Sequence, residues 1–301
     1  MSPQFSENLL LEIYVEVDDL LKAFENWSKE KALGKLYHPT RTPNLSPSQI
    51  ATLVIAYHFS GYKCFEYYYK ECILQHYLPC FPKAPSYQRF VPYIERVLPL
   101  LFLLLMVKTS QSIPTGYYFI DSKKIEVCPV RREKSHQVFK DFASKAKSST
   151  GWFYGLQLHL VINHLGQIMT FLFTPGSTAD NNKDVLQHLL AGLKGKCGGD
   201  KGYWTTLFEH FYQQGLHLVV RPKKKMKALP AAEQDIGFLK QRALIESVND
   251  IIVSVCNVEH TRHPNALNGM ASMLAGLIAY QYLPTKPHIF IPNAINYLQA
   301  A

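Results

Sequence analysis

Three carboxylates carry the chemistry that this chain is equipped for. Asp121 ends the apolar run Tyr117-Tyr118-Phe119-Ile120. Asp200 lies among glycines in Gly198-Gly199-Asp200-Lys201-Gly202-Tyr203. Glu246 sits in Arg242-Ala243-Leu244-Ile245-Glu246-Ser247, within a segment whose apolar residues recur at helical spacing. Carboxylates delivered by separate rigid elements suit hard divalent cations, which take oxygen ligands. Two such ions stabilise both the attacking and the leaving oxygen of a displacement at phosphorus. Asp121, closing the first strand, is the expected bridging ligand for a pair of Mg²⁺ or Mn²⁺ ions. On the Glu246 helix, Arg242 precedes the acid by four residues, and Asn249 and Asp250 follow it by three and four, so all four share a face. Ile245, Val248, Ile252 and Val255 form an apolar face for docking on a sheet. The plain alternative is a solvated face with an Arg242–Glu246 ion pair, worth little by itself.

Charge distribution points the same way. The chain has 301 residues, a net charge of +9, 47 % hydrophobic and 18 % charged residues, so it should fold around a sizeable core. Residues 1–115 hold 11 Lys and Arg against 10 Asp and Glu, whereas residues 116–301 hold 21 against 13. The cationic surplus thus shares a segment with the three acids, as a polyanionic substrate would require. Ordinary solubility charge explains the composition equally well. The cations concentrate between Arg131 and Lys147, where Lys145 and Lys147 are candidate phosphate contacts, and in the run Arg221–Lys227, with Lys223, Lys224 and Lys225. Lys201 and Arg242 flank the acids themselves. Trp152, beside the first basic stretch, either packs at a sheet edge or stacks on an unpaired base. His159, inside an apolar run, reads as a packed, hydrogen-bonded residue, and His260 and His263 flank Arg262 without ligand spacing.

The elements that must position these groups fall into two parts. Residues 1–112 read as helical. Leu9–Lys31 carries apolar residues at helical spacing, and Gly34 and the Pro39–Pro43 stretch break the chain. Ser46-Pro47-Ser48-Gln49 is a helix start, with a Ser cap, a Pro at the first position and Gln at the third. Tyr62–Gln75 and a segment from Ser86 are further helix candidates, compatible with a helix-turn-helix or with any small helical domain. Gln88 and Arg89 there are the residues able to pair bidentately with A and G. Residues 113–301 read as an α/β mixed sheet flanked by helices with a helical tail. Its strand candidates are Tyr117–Ile120, Lys124–Val127, Trp152–Asn163, Ile168–Thr174, Lys196–Gly199 and His217–Val220, with a loop over 131–151. Helices are expected at 182–194 and Thr205–Gln214, and one long helix over Asp235–Val255. The apolar run from Val97 to Val107 is shorter than the roughly 20 residues that span a bilayer. No C-x-x-C pair occurs among the six cysteines, which read as reduced thiols of a cytoplasmic protein. The N-terminus has no secretory signal pattern.

Five stretches, in order and at matching separations, resemble one family: FIDSKKIEVC at 119–128, KSSTGWFYGLQLHLVIN at 147–163, FTPGSTADN at 173–181, GGDKGY at 198–203 and RALIESVND…EHTRH at 242–263. The chain resembles bacterial insertion-sequence transposases of the DDE type, most closely the family named after insertion sequence nine-eight-two. The resemblance implies an RNase H-like fold, with Asp121 on the first strand, Asp200 after the fourth and Glu246 on the last large helix. It implies two-metal cleavage at transposon ends, then attack of the freed 3′-hydroxyl on target DNA. Double-stranded DNA is the implied partner, with a homodimer, no membrane and a nucleoid-associated location in the bacterial cytoplasm. A wider group of such enzymes places Tyr, Arg, Glu and Lys around the last acid. Arg242 and Glu246 fit, but Leu239 and Val253 stand at the Tyr and Lys positions, so that Lys contact does not carry over. Two rivals remain open on the sequence: a nuclease of this fold without strand transfer, and a DNA-binding protein whose catalysis has lapsed.

Overall fold

A computed structural model describes residues 5–31, 44–148, 150–221, 233–259 and 263–291. By contacts the chain divides into one unit of 1–108 with 252–282 and a second of 109–251 with 283–301. Residues 252–282 thus group with the N-terminal helices, where the sequence had suggested a helical tail on the catalytic half.

In the first unit, helix Glu7–Glu30 starts at Ser6, whose side chain accepts from the Leu9 amide. Helix Pro47–Tyr57 opens with the expected capping box: Ser46 and Gln49 each accept a backbone N–H of the other. Such caps typically contribute about 1 kcal/mol. The candidate helix after Gly61 is broken into short pieces around a π-helical turn, Tyr68–Ile73. Helix Ala266–Tyr282 is buried at Asn268, Gly269 and from Ala271 to Tyr280.

The apolar run near Val97 is longer than its sequence suggested. Helical structure continues back to Tyr87, giving 24 residues that are long and apolar enough to cross a membrane by length and composition alone. Phe90, Ile94, Val97, Leu101 and Leu105 are nevertheless buried at helical spacing, as in a core helix.

The second unit holds a six-stranded mixed sheet: β1 Tyr117–Cys128, β2 Ser144–Ser148, β3 Gly151–Asn163, β4 Ile168–Pro175, β5 Gly195–Gly199 and β6 Leu216–Val220. β3 pairs antiparallel with β1 on one edge, and with β2 and then β4 along the other. β5 joins β1 in parallel and β6 joins β5 in parallel. Gly166, at φ 72°, turns the β3–β4 hairpin where a Cβ would strike the Pro287 carbonyl. This mixed α/β order is compatible with an RNase H-like core.

Three local expectations are corrected. The two strand candidates around Asp121 are one continuous strand, because β3 pairs with it from Tyr118 to Cys128 across the polar residues Ser122-Lys123-Lys124. The loop expected over 131–151 contains β2, an edge strand on β3. The long helix over Asp235–Val255 is two, Glu233–Lys240 and Ala243–Ser254, separated by Gln241 and Arg242.

Packing follows the period of two along β1. Tyr118 and Ile120 enter the core formed with Val185, Leu186 and Leu189 of helix Lys183–Leu190 and Phe211 of helix Phe208–Gln213. Phe119 points the other way and stacks on Phe238 of helix Glu233–Lys240, with ring centroids 5.0 Å apart. Asp121 has the parity of Phe119 and faces the same helical layer. His159 is fully buried and bonds the Thr174 hydroxyl at 2.9 Å, in keeping with its sequence context.

Candidate active site

The parallel pairing of β1 with β5 ends at Phe119 and Gly198. Beyond that point β1 continues with β3 alone, so its edge opens at Asp121. β5 ends at Gly199, and the chain turns through Asp200 into the short 3-10 turn Lys201–Tyr203. Asp121 and Asp200 therefore meet at the end of the sheet. Asp200 follows the fifth strand in chain order, because β2 adds an edge strand to the expected count.

Each acid is held by a donor. Asp200 caps its turn: Oδ1 accepts the Gly202 amide at 2.6 Å. Asp121 Oδ2 accepts from Asn249 Nδ2 at 3.1 Å, and the Arg242 guanidinium stands 3.8 Å from Oδ1. Arg242 also hydrogen-bonds Glu246, one helical turn on. Glu246 is thereby linked to Asp121 through Arg242, on a helix face where its own side chain is 53 % exposed against 21 % for Asp121. Asp250, on the same face, pairs with Lys123 at 3.3 Å.

A fourth carboxylate, which sequence reasoning missed, joins this group. Asp180 Oδ1 accepts from Ser122 Oγ at 2.6 Å and from Gln157 Nε2 at 2.7 Å. Asp121, Asp180 and Asp200 line one groove of about 870 Å³. The only signal for Asp180 was its place in FTPGSTADN; it lies between β4 and the next helix, where no periodicity marks it. Burial pushes the Asp121 carboxyl up to about 6 against the opposing pull of Arg242, and Asp200 and Asp180 add to the rise. Burial, then Asp200, also raises Asp180. Like charges gathered in a half-buried site without enough compensation have this signature.

The basic candidates fall on three surfaces. Lys147 and Trp152 line the same groove as the acids, together with Lys123 and Lys124. Trp152 is 59 % exposed, which decides against edge packing, and the Lys145 ammonium lies 5.5 Å from its ring. Lys145 is also paired with Glu133 at 3.2 Å. Lys201 and Arg242 line an adjoining groove of about 460 Å³ with Asp200, Glu246, Arg221 and Lys240, the last another residue missed from sequence. Gln88 and Arg89 are exposed at the start of helix Tyr87–Ile94 in the first unit. Lys223, Lys224 and Lys225 lie outside the described residues, as do His260 and Arg262.

Among the described residues no three of His, Cys, Asp or Glu stand in a preassembled metal cluster. The donor chemistry nonetheless fits a hard divalent cation. All donors are oxygens, their charges repel, and two buried polar atoms beside them lack a hydrogen-bond partner: Asn249 Oδ1 and the Tyr203 hydroxyl. Gly202 leaves a cradle that a side chain would fill. A Cβ there would lie 2.7 Å from Asp200 Oδ1 and 3.1 Å from Asp180 Oδ2.

No curated protein matches the chain. A family model described as "Transposase DDE domain" matches residues 111–266, a span that begins just before β1, ends after the Glu246 helix and contains all three acids. With more than half of its length inside that match, the chain belongs to the family of transposase DDE domains.

Proposed function

We propose that the chain is an insertion-sequence transposase of the nine-eight-two family, which binds the ends of its element, cleaves there and joins the freed 3′-hydroxyl to target DNA. The observation that carries this reading is the shared groove, with Asp121 and Asp200 at the open end of the sheet and Lys124, Lys147 and Trp152 along the same cleft. Acids alone would repel a phosphodiester; cations on the walls attract it.

Asp121, Asp200 and Glu246 would hold two Mg²⁺ or Mn²⁺ ions. When bound, these ions supply charge stabilisation for the attacking and leaving oxygens. The remaining work belongs to the chain. Asn249 fixes the Asp121 carboxylate, and the Gly202 amide fixes that of Asp200. Arg242 bridges Asp121 and Glu246, and its guanidinium would be released to donate to a phosphate oxygen if Glu246 turned to bound ions. Lys201, Arg221 and Lys240 extend that cationic wall. In cleavage, a water oxygen bonds to phosphorus and the bond to the 3′-oxygen breaks. In joining, the 3′-oxygen bonds to a target phosphorus and the target's own 3′-oxygen leaves. Gln88 and Arg89 are the candidate base-reading residues of the helical unit, and the chain is expected to work as a homodimer on double-stranded DNA.

The test pairs the full chain and Mg²⁺ with duplexes carrying the inverted repeats that flank its reading frame. Covalent joining of the repeat's 3′ end to a target plasmid is the expected product. Nicks without joined product would replace this reading by the simple nuclease.

A further inference from the structure

Asp180 takes no part in the reaction as argued so far, yet its surroundings are built around its charge. Oδ1 receives two donors, Ser122 Oγ and Gln157 Nε2, and the same Gln157 nitrogen also donates to Ser122 Oγ at 2.7 Å. That net locks the side chain in one orientation. Oδ2 is turned to the Gly202 cradle, where Asp200 Oδ1 approaches the same point from the other side. Two carboxylate oxygens brought to either side of a position kept free of a side chain repel each other unless a positive charge lies between them.

A second observation marks the same place. Tyr203 is fully buried, and its hydroxyl makes no hydrogen bond of full geometry, only a marginal contact with the Ser122 hydroxyl. Burial holds its phenol far above the ordinary range, and the carboxylates that add to the rise are Asp180, Asp121 and Asp200, with only the Ser122 hydroxyl easing it. The phenol therefore stays protonated in this acidic surrounding. A buried hydroxyl without a partner costs about 1–3 kcal/mol unless something supplies one. A water of a hydrated cation supplies one by donating to the hydroxyl oxygen, since Mg²⁺ and its analogues keep several waters.

We propose that Asp180 is a fourth carboxylate of the centre, forming with Asp200, across Gly202, a subsite for one divalent cation whose bound water donates to the Tyr203 hydroxyl oxygen. The inference rests on the metal-dependent reading of Asp121, Asp200 and Glu246. It adds that one of the two ions is held on the Asp180 side, away from the Glu246 helix. Gly202 is required because a side chain there would press on the Asp200 and Asp180 oxygens and close the approach between them.

The experiment measures Mn²⁺ bound per full-length chain by electron paramagnetic resonance of the free ion, in wild type, Asp180→Asn, Gly202→Ala and Tyr203→Phe. Asparagine keeps the acceptor for Ser122 and Gln157 and removes only the charge. The expected result is that Asp180→Asn loses one ion, or binds it at least tenfold more weakly, with an unchanged or raised melting temperature in chelator. Gly202→Ala should lose the same ion without any change of charge, and Tyr203→Phe should weaken it severalfold. Wild-type stoichiometry and affinity in both Asp180→Asn and Gly202→Ala would overturn the proposal while leaving the three-acid reading intact. No Mn²⁺ uptake by wild type, or uptake indifferent to Asp121→Asn and Asp200→Asn, would overturn that reading and this one together. Should Asp180→Asn fail to fold, Gly202→Ala alone decides.

Discussion

The two sides of the acidic centre are built differently. On the sheet side, Asp121, Asp180 and Asp200 come from a strand interior, a loop tied to that strand, and a capped turn, each held by named donors. On the helix side, Glu246 stands on an exposed face and is paired with Arg242, which lies in the break between two helices. The first side is fixed by the Gly202 amide and by short side chains, among them Asn249 reaching across from the helix, whereas the second is adjustable by rotation of two long side chains. On the proposed reading, the contrast means that the sheet would set where the cations go and that the helix would close the site by exchanging an arginine for an ion. The helix itself is anchored below this surface by Ile245, Val248 and Ile252, all buried.

The largest effect that would break this contrast lies at Phe238. It stacks on Phe119 and is 7 % exposed, fastening the helical layer to β1 two residues before Asp121. Phe238→Ala should cost about 3–5 kcal/mol in urea unfolding and disturb the helix side more than the sheet side. A loss under about 1 kcal/mol would mean that the layer is held elsewhere.

The next effect sharpens the rigidity of the sheet side. His159, on β3 beside the active strand, is held neutral by burial, with its pKa lowered to about 4. The unfolded chain takes up that proton near pH 6.5. Stability is therefore fully present above pH 6.5 and declines as pH falls towards 4, by roughly 3 kcal/mol for this group. His159→Gln should flatten that limb of the stability profile. An unchanged acid limb would show that β3 is looser than its packing suggests.

The smallest expected effect is on the helix side. Arg242→Ala removes a partly exposed bridge, so it should change stability by no more than about 1 kcal/mol. It should reduce DNA cleavage far more than that figure suggests, because the guanidinium is the proposed phosphate donor. Wild-type cleavage by Arg242→Ala would confine the arginine to its ion pair.

This division also explains what the sequence could reveal. Asp121 was visible because an apolar run leads into it, and Asp200 because glycines surround it. Glu246 was visible because the apolar spacing of its helix leaves one polar face. The continuity of β1 was hidden, since Ser122-Lys123-Lys124 are polar on both faces where the strand has left β5. β2, with sequence Ser-Lys-Ala-Lys-Ser, has none of the β-branched or aromatic residues that signal a strand, as befits a charged edge. No Gly or Pro marks the helix break at Gln241 and Arg242. Asp180 lies in a loop, and its role depends on contacts with residues 58 and 23 positions away, which no local pattern encodes.

The central claim is that these acids cut DNA through bound metal. It is tested most directly by nicking of supercoiled plasmid by the full chain, in Mg²⁺ and then in Mn²⁺, comparing wild type with Asp121→Asn, Asp200→Asn and Glu246→Gln. The account predicts metal-dependent nicking by wild type and a loss of roughly 10²–10³-fold or more in each variant, with melting temperatures in chelator that hold or rise as repulsion is relieved. Near wild-type nicking by Asp200→Asn in Mg²⁺ would contradict it.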